Sequence, residues 1–397
     1  MAITASGTPA VVGTYVTEQG PLEGRTTSSI YVESVLGALA DAGLSPGDVD
    51  GLVGAGPGNP ALWNPHGVYV DLFGTPLRFY AEAKVGAGSP GAAIALAASA
   101  IREGRAEVVL VANAAGAPDM AHAGGLGADR DSAVARMSML GSEFEYPWGT
   151  TRIADYAMYA QRHMYEYGTK PEQLAEVAVA ARYHATLTPE AVMGPRGPIT
   201  IDDVLASRMI ASPLHLLDCC LINNGGGAYV VTSEARARSL RHDPVFLLGF
   251  GENYPFNDRH YARSLSGFDT HNSAGQALSQ ANLTHDDIDL AGVSDHFTIN
   301  VLIELEDAGF CKKGEGGSFV EGGALQIGGR LPTNTDGGYL SHSHAGGCGV
   351  FTVIEAVTQL RREAGARQVQ DATFAMLRGT GGAMQASYTA VLGRDIP

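Results

Sequence analysis

The chain has 397 residues, enough for two fused halves that bury a shared interior, and 45% of them are hydrophobic against 17% charged. With 52 glycines, this composition fits a turn-rich α/β enzyme and excludes a disordered or fibrous chain. A net charge of −16 without a lysine or arginine cluster argues against nucleic acid or an anionic membrane as the main partner.

The first residues, MAITASGTPAVVGTYV, lack a basic stretch followed by an unbroken apolar run, and no run of about 18 apolar residues follows, so no signal peptide or membrane span is expected and the protein reads as cytoplasmic. Residues 11–16, VVGTYV, alternate as a strand. Ile30, Val32, Val35, Leu36 and Leu39 then recur at helical spacing, Gly43 closes the helix, and DVDGLVGAG returns to a strand. A second unit opens on the glycine turn at Gly86. It places Ser89 as candidate N-cap and Pro90 at the first helical position, continues in an Ala/Ile/Leu helix, and ends in a buried-type strand over 107–112.

Residues 115–215 fall outside this alternation and carry many aromatic and histidine residues. Such an insertion is expected to form a lid or pocket wall, with Tyr146, Trp148, Arg152 and Tyr156 facing either substrate or surface. The plan then repeats: ANLTHDDIDLAGV (281–293) echoes AGLSPGDVDGLVG (42–54), and the stretch from Ala345 repeats the turn, helix and strand that begin at Gly86. The expected fold is therefore α/β, with two duplicated βαβαβ halves, 1–245 and 246–397, sharing one core around the inserted lid region. Cys219, Cys220, Cys311 and Cys348 make no CxxC pair and read as free thiols.

Four ordered blocks, at 199–231, 286–298, 334–347 and 379–394, resemble the thiolase superfamily, and within it the sterol-carrier-protein-type thiolases and their lipid-transfer or aldolase relatives. The resemblance implies a five-layered αβαβα fold, a homodimer and a tunnel for the pantetheine arm of a coenzyme A thioester, which is substrate; no bound cofactor is implied. It also implies a small OB-fold and zinc-ribbon partner supplied in trans, for which this chain has neither the cysteines nor the barrel pattern.

Thiolases attack with a cysteine at the N-terminus of the first-half helix, where helix dipole and backbone N–H groups favour the thiolate. Here that position falls on Ala87 or Gly88, and the second family cysteine falls at about Gly379. Ser89 lacks a neighbouring base and reads as a cap, while Cys348 and the Cys219–Cys220 pair read as packing residues. Glycine turns at Gly346, Gly347, Gly381 and Gly382, with Ala87, Gly88 and Ser89, are the expected substrate-binding walls, and Tyr339 is either an aromatic wall beside them or a proton donor.

His344 falls on the histidine of the family's GHPxG motif, with Ala345 replacing the proline. The resemblance implies that it stabilises a thioester oxyanion or enolate; capping the glycine turn is the plainer reading. Ser294, Asp295 and His296 occupy the NEAF-type box: His296 suits taking a proton from an alcohol, and Asp295 either fixes its tautomer or serves as an N-cap or loop ion pair. His342, His344 and His296 imitate a three-histidine metal site, but no carboxylate supports it, so no metal is expected. The expected reaction is retro-aldol cleavage of a β-hydroxyacyl-CoA, on a steroid or other bulky side chain, with Ser294, Asp295, His296 and His344 catalytic. The alternatives are a non-catalytic acyl-CoA- or lipid-binding subunit, and an acyltransferase using Cys348 or a partner's residue.

Overall fold

The computed structural model describes residues 7–55, 65–116, 151–256 and 259–397, and every structural statement below concerns these. The first half runs β1 (Ala10–Val16), α1 (Thr27–Ala42), β2 (Gly51–Ala55), α2 (Pro65–Phe73), β3 (Phe79–Ala83), α3 (Ser89–Arg102) and β4 (Val108–Ala115). After α4 (Arg152–Tyr167) and α5 (Pro171–Thr186) it ends on β5 (Gly225–Thr232). The second half comprises β6 (Val245–Asn253), α6 (Ser273–Ala281), β7 (Leu290–Val293), α7 (Thr298–Ala308), α8 (Gly349–Leu360), β8 (Phe374–Gly381) and β9 (Ala386–Gly393).

The strands form one sheet in the order β3-β2-β4-β5-β1-β6-β9-β8-β7. It is two half-sheets joined by two residue pairs, Ala10 with Phe246 and Val11 with Val245. Counted outward from that joint, the first half reads first, fifth, fourth, second, third strand, and the second half repeats the sequence with its third strand reduced to a single Ala291–Thr333 bridge. β2 is parallel to β3 and β4, but β5 runs antiparallel to β4 and β1, as β9 does to β8 and β6. The duplication is thus as expected, with an antiparallel last strand that a plain βαβαβ unit lacks.

The period-two alternation of β4 shows how the layers form: Val109 and Val111 face the middle layer, while Val108 and Leu110 face α1. Each side chain of this size adds about 1.5–3 kcal/mol when fully buried. Between the half-sheets lie α3 and α8, with Ala93, Ile94 and Ala97 meeting a core that also holds Val350, Val353 and Val357. On the outer faces, α1 covers the first half-sheet through Ile30, Val35 and Leu39, and α6 covers the second through Ala274, Ala277 and Leu278. Five αβαβα layers result. Leu36, expected on the buried face of α1, is 44% exposed, because it lies beyond the stripe that meets the sheet.

The described part of the insertion packs on the second half rather than roofing the first: α4 and α5 both rest on α7. Tyr156 and Tyr159 donate to the carbonyls of Gly382 (3.1 Å) and Ala383 (2.9 Å), buttressing the glycine turn after β8. Arg152 pairs with Asp155 at 3.1 Å. Tyr146 and Trp148 lie outside the described residues.

Candidate active site

Three loops from the two halves converge above the N-termini of α3 and α8. Ser294–His296 leave β7, Gly338–His342 form one wide helical turn followed by an extended stretch to Cys348, and Gly86–Gly88 lead into α3. The rings of His296 and His344 lie 5.2 Å apart, centroid to centroid. Tyr339 completes the group, 5.1 Å from His296 and 5.7 Å from His344. Cys348 Sγ sits 3.9 Å from His296 Nε2 and 3.9 Å from the Ala87 carbonyl oxygen, which brings the vacant nucleophile position to the edge of the cluster.

Burial sets the charges here. It drives the His296 imidazole well below its usual range, helped by His344 and Arg152, and takes His344 down to about 4 against a weaker opposing bond to the Leu221 backbone. It raises the Cys348 thiol far out of the thiolate range. At neutral pH the site therefore holds two neutral imidazoles and a protonated thiol. His344 Nε2, like His296 Nδ1, has no hydrogen-bond partner among the described residues. Both imidazoles keep a share of exposed surface, as groups that meet a ligand must.

The neighbours of the two histidines have other duties. Asp295 does not hold an imidazole: its Oδ1 accepts the Tyr339 amide at 2.8 Å and its Oδ2 the Leu340 amide at 3.2 Å, which fixes the wide turn. Burial pushes its carboxyl up to about 7, and the two amides pull against that rise. Gly338 is required for this embrace, since its φ is 60° and a Cβ there would lie 2.2 Å from Asp295 Oδ2. Ser294 Oγ accepts the Thr380 amide at 3.0 Å, tying β7 to the end of β8. Ser89 is the first residue of α3 rather than its N-cap: its Oγ accepts the Val85 amide (2.8 Å) and donates to the Gly86 carbonyl (2.6 Å), stapling the turn.

The segment carrying His342 and His344 is not a continuous strand. His342 belongs to the wide turn and pairs with Asp336 through Nδ1 at 2.6 Å, away from His344. The group whose ligand atoms approach within 4.8 Å of one another is instead His296, His344 and Cys348. Tyr339 shares its hydroxyl with Thr352 at 3.1 Å and presents its ring to both imidazoles. Of the glycines, Gly381 packs on the Val85 carbonyl, Gly382 on the Gln385 side chain, and Gly346 and Gly347 on Asn113 and Pro90, so each is held by protein contacts at the rim of the site.

Two residues escaped the sequence reading. Asn223 accepts the His344 amide at 2.9 Å and donates to Ser343 Oγ at 2.9 Å, fixing the stretch that carries the imidazole; its only sequence signal was its place in the LINNGGG block. Tyr388, on β9, fills the space of the cysteine absent at Gly379 and packs close to Gly88 and Gly91. A Cβ on Gly379 would lie 2.1 Å from its ring, one on Gly88 3.3 Å from it, and one on Gly91 1.7 Å from its hydroxyl.

Residues 257–394 match the family described as Thiolase C-terminal domain-like. The chain is 36% identical to a steroid side-chain-cleaving aldolase of Thermomonospora curvata, over 94% of this chain and 96% of the relative. It is 37% identical to a 17-hydroxy-3-oxo-4-pregnene-20-carboxyl-CoA lyase of Mycobacterium tuberculosis, over 90% and 92%. The solved structure of an Ltp2-ChsH2(DUF35) aldolase superposes with a TM-score of 0.86 at 34% identity, covering 98% of each chain. No helix among the described residues is long and apolar enough to cross a membrane.

Proposed function

The chain belongs to the thiolase superfamily, in its subgroup of sterol-carrier-protein thiolases and aldolases, and from that premise we propose that it is a carbon–carbon lyase of steroid-type β-hydroxyacyl-CoA thioesters, releasing a ketone or aldehyde and a shorter acyl-CoA. The observation that carries this reading is the pairing of two neutral, unpartnered imidazole nitrogens beside a nucleophile position occupied by Ala87 and Gly88. Acyl transfer by the family route needs a thiolate, and the thiol present is held protonated. Retro-aldol cleavage needs a base for the hydroxyl and a donor for the thioester oxygen, since the thioester itself accepts the electrons.

In the reaction, an imidazole takes the β-hydroxyl proton, the oxygen electrons close a carbonyl, and the Cα–Cβ bond breaks with its electron pair delocalised onto the thioester oxygen. Protonation of Cα completes the short acyl-CoA, so the products together have the composition of the substrate. In this reading the proton acceptor is His344 Nε2, which makes no hydrogen bond among the described residues. His296, with backbone N–H groups, then serves the enolate oxygen, the duty that the resemblance implies for His344. Negative charge developing on the enolate raises the proton affinity of the adjacent imidazole as the bond breaks.

Resemblance to the Ltp2-ChsH2(DUF35) aldolase supports a small OB-fold and zinc-ribbon partner in trans, and the superfamily supports a homodimer. The test is incubation of the purified chain, with and without such a partner, with a panel of β-hydroxyacyl-CoA thioesters. Stoichiometric ketone and acetyl- or propionyl-CoA is the expected result. Binding without turnover of any panel member sinks the reading in favour of a carrier subunit, and acyl transfer from a β-ketoacyl-CoA sinks it in favour of a thiolase.

A further inference from the structure

The cluster at the head of α8 contains more than proton-transfer groups. His296, His344 and Cys348 present one nitrogen, one nitrogen and one sulfur within 4.8 Å of one another, and His344 Nε2 has no hydrogen-bond partner among the described residues. Tetrahedral zinc, with Zn–S about 2.3 Å and Zn–N about 2.0–2.1 Å, sets neighbouring ligand atoms roughly 3.3–3.6 Å apart. The Cys348 Sγ to His296 Nε2 distance of 3.9 Å is a few tenths of an ångström from that, within reach of side-chain rotation.

We propose that His296, His344 and Cys348 form a site for a soft divalent cation of the zinc type, and that its occupation shuts the enzyme off. Two imidazoles and a thiolate are a donor set that selects zinc over magnesium or calcium. The imidazoles are already neutral and need lose no proton, so the ion displaces one proton, that of the Cys348 thiol, into solvent. Asp295 and Asp336 turn their carboxylates to the Tyr339 and Leu340 amides and to His342, so neither supplies a competing oxygen ligand. Coordination uses the Nε2 lone pair of His344, the same pair that takes the hydroxyl proton in the reaction proposed above. The inhibitory consequence rests on that reading, whereas the coordination itself does not.

The experiment has two arms. Cobalt(II) added to the purified chain reports coordination without turnover: one equivalent per chain is expected to give tetrahedral d–d bands and a thiolate charge-transfer band. The charge-transfer band is expected to vanish in Cys348→Ser and Cys348→Ala. In the second arm, Zn²⁺ is expected to depress β-hydroxyacyl-CoA cleavage. Each variant is scored against its own zinc-free rate, and in both the inhibitory Zn²⁺ concentration is expected to rise by about tenfold or more. Absence of a thiolate band in the unsubstituted protein, equal zinc sensitivity in the variants, or stimulation by zinc would each overturn the proposal. A chain that binds cobalt through sulfur but cleaves no thioester would leave the site standing and remove the proposed function.

Discussion

The imidazoles of His296 and His344 meet edge to face, their planes inclined by 85° and their centroids 5.2 Å apart, although 48 positions separate them in the chain. Each ring holds one buried nitrogen that makes no protein hydrogen bond among the described residues. Replacement of either by alanine is expected to lower kcat by about 10²–10⁴-fold. The double variant should lose little beyond the more damaging single one, because the two act in one proton-transfer unit. Retention of more than half the activity in His344→Ala, measured by product formation in steady state, removes it from the reaction.

Acid titration separates His344 from its surroundings. Its folded pKa, about 4, lies below the ordinary 6.5, so between about pH 6.5 and 4 the unfolded chain binds a proton that the folded chain refuses. Stability is therefore lost as pH falls through that window, and the loss is absent above it. His344→Gln carries no such group: the stability of the unsubstituted protein relative to this variant is expected to fall steadily from pH 6.5 to 4 in denaturant titrations. A pH-independent difference contradicts the assignment.

Asp295 acts on the backbone, which makes its isosteric substitution informative. Asp295→Asn keeps one acceptor oxygen and turns the other into a donor facing the Leu340 or Tyr339 amide. The unpaired amide is expected to cost about 1–3 kcal/mol of stability. Activity should fall with it, because the same turn positions the Tyr339 ring against both imidazoles. Unchanged thermal unfolding in this variant contradicts the positioning role.

Returning a cysteine to the second family position should not return acyl transfer. In Gly379→Cys the new Cβ would lie 2.1 Å from the Tyr388 ring, and relief of such overpacking is expected to cost about 1–3 kcal/mol. Pairing it with Tyr388→Ala should recover much of that stability. Thiolysis of a β-ketoacyl-CoA is the second readout; its appearance in the single variant contradicts the account of how Tyr388 excludes a cysteine here.

The raised Cys348 thiol predicts chemical silence. Iodoacetamide at neutral pH should label it far more slowly than an ordinary free thiol, and acid-quenched turnover mixtures should show no acyl adduct on it by mass spectrometry. Rapid labelling, or a trapped thioester on Cys348, favours the acyltransferase.

What the sequence determined by itself is whatever depends on neighbours a few residues apart. The apolar spacing of Ile30, Val35 and Leu39, the glycine turns before α3 and α8, and the echo between residues 42–54 and 281–293 specify helices, strands and their duplication through the 3.6- and 2-residue periods of the backbone. The empty nucleophile position at Ala87 and Gly88 and the placing of His296 and His344 came from the resemblance to thiolases, whose motifs these residues match in order along the chain. Tertiary structure alone decided which polar groups were left available for chemistry. Asp295 and Ser294 are spent on amides 44 and 86 positions away, His344 is held by Asn223 across 121 positions, and Cys348 meets Ala87 across 261. Hydrogen bonds of that reach follow from how the half-sheets stack, and a buried carboxylate or hydroxyl takes a nearby unpaired amide because leaving that amide unsatisfied costs about 1–3 kcal/mol.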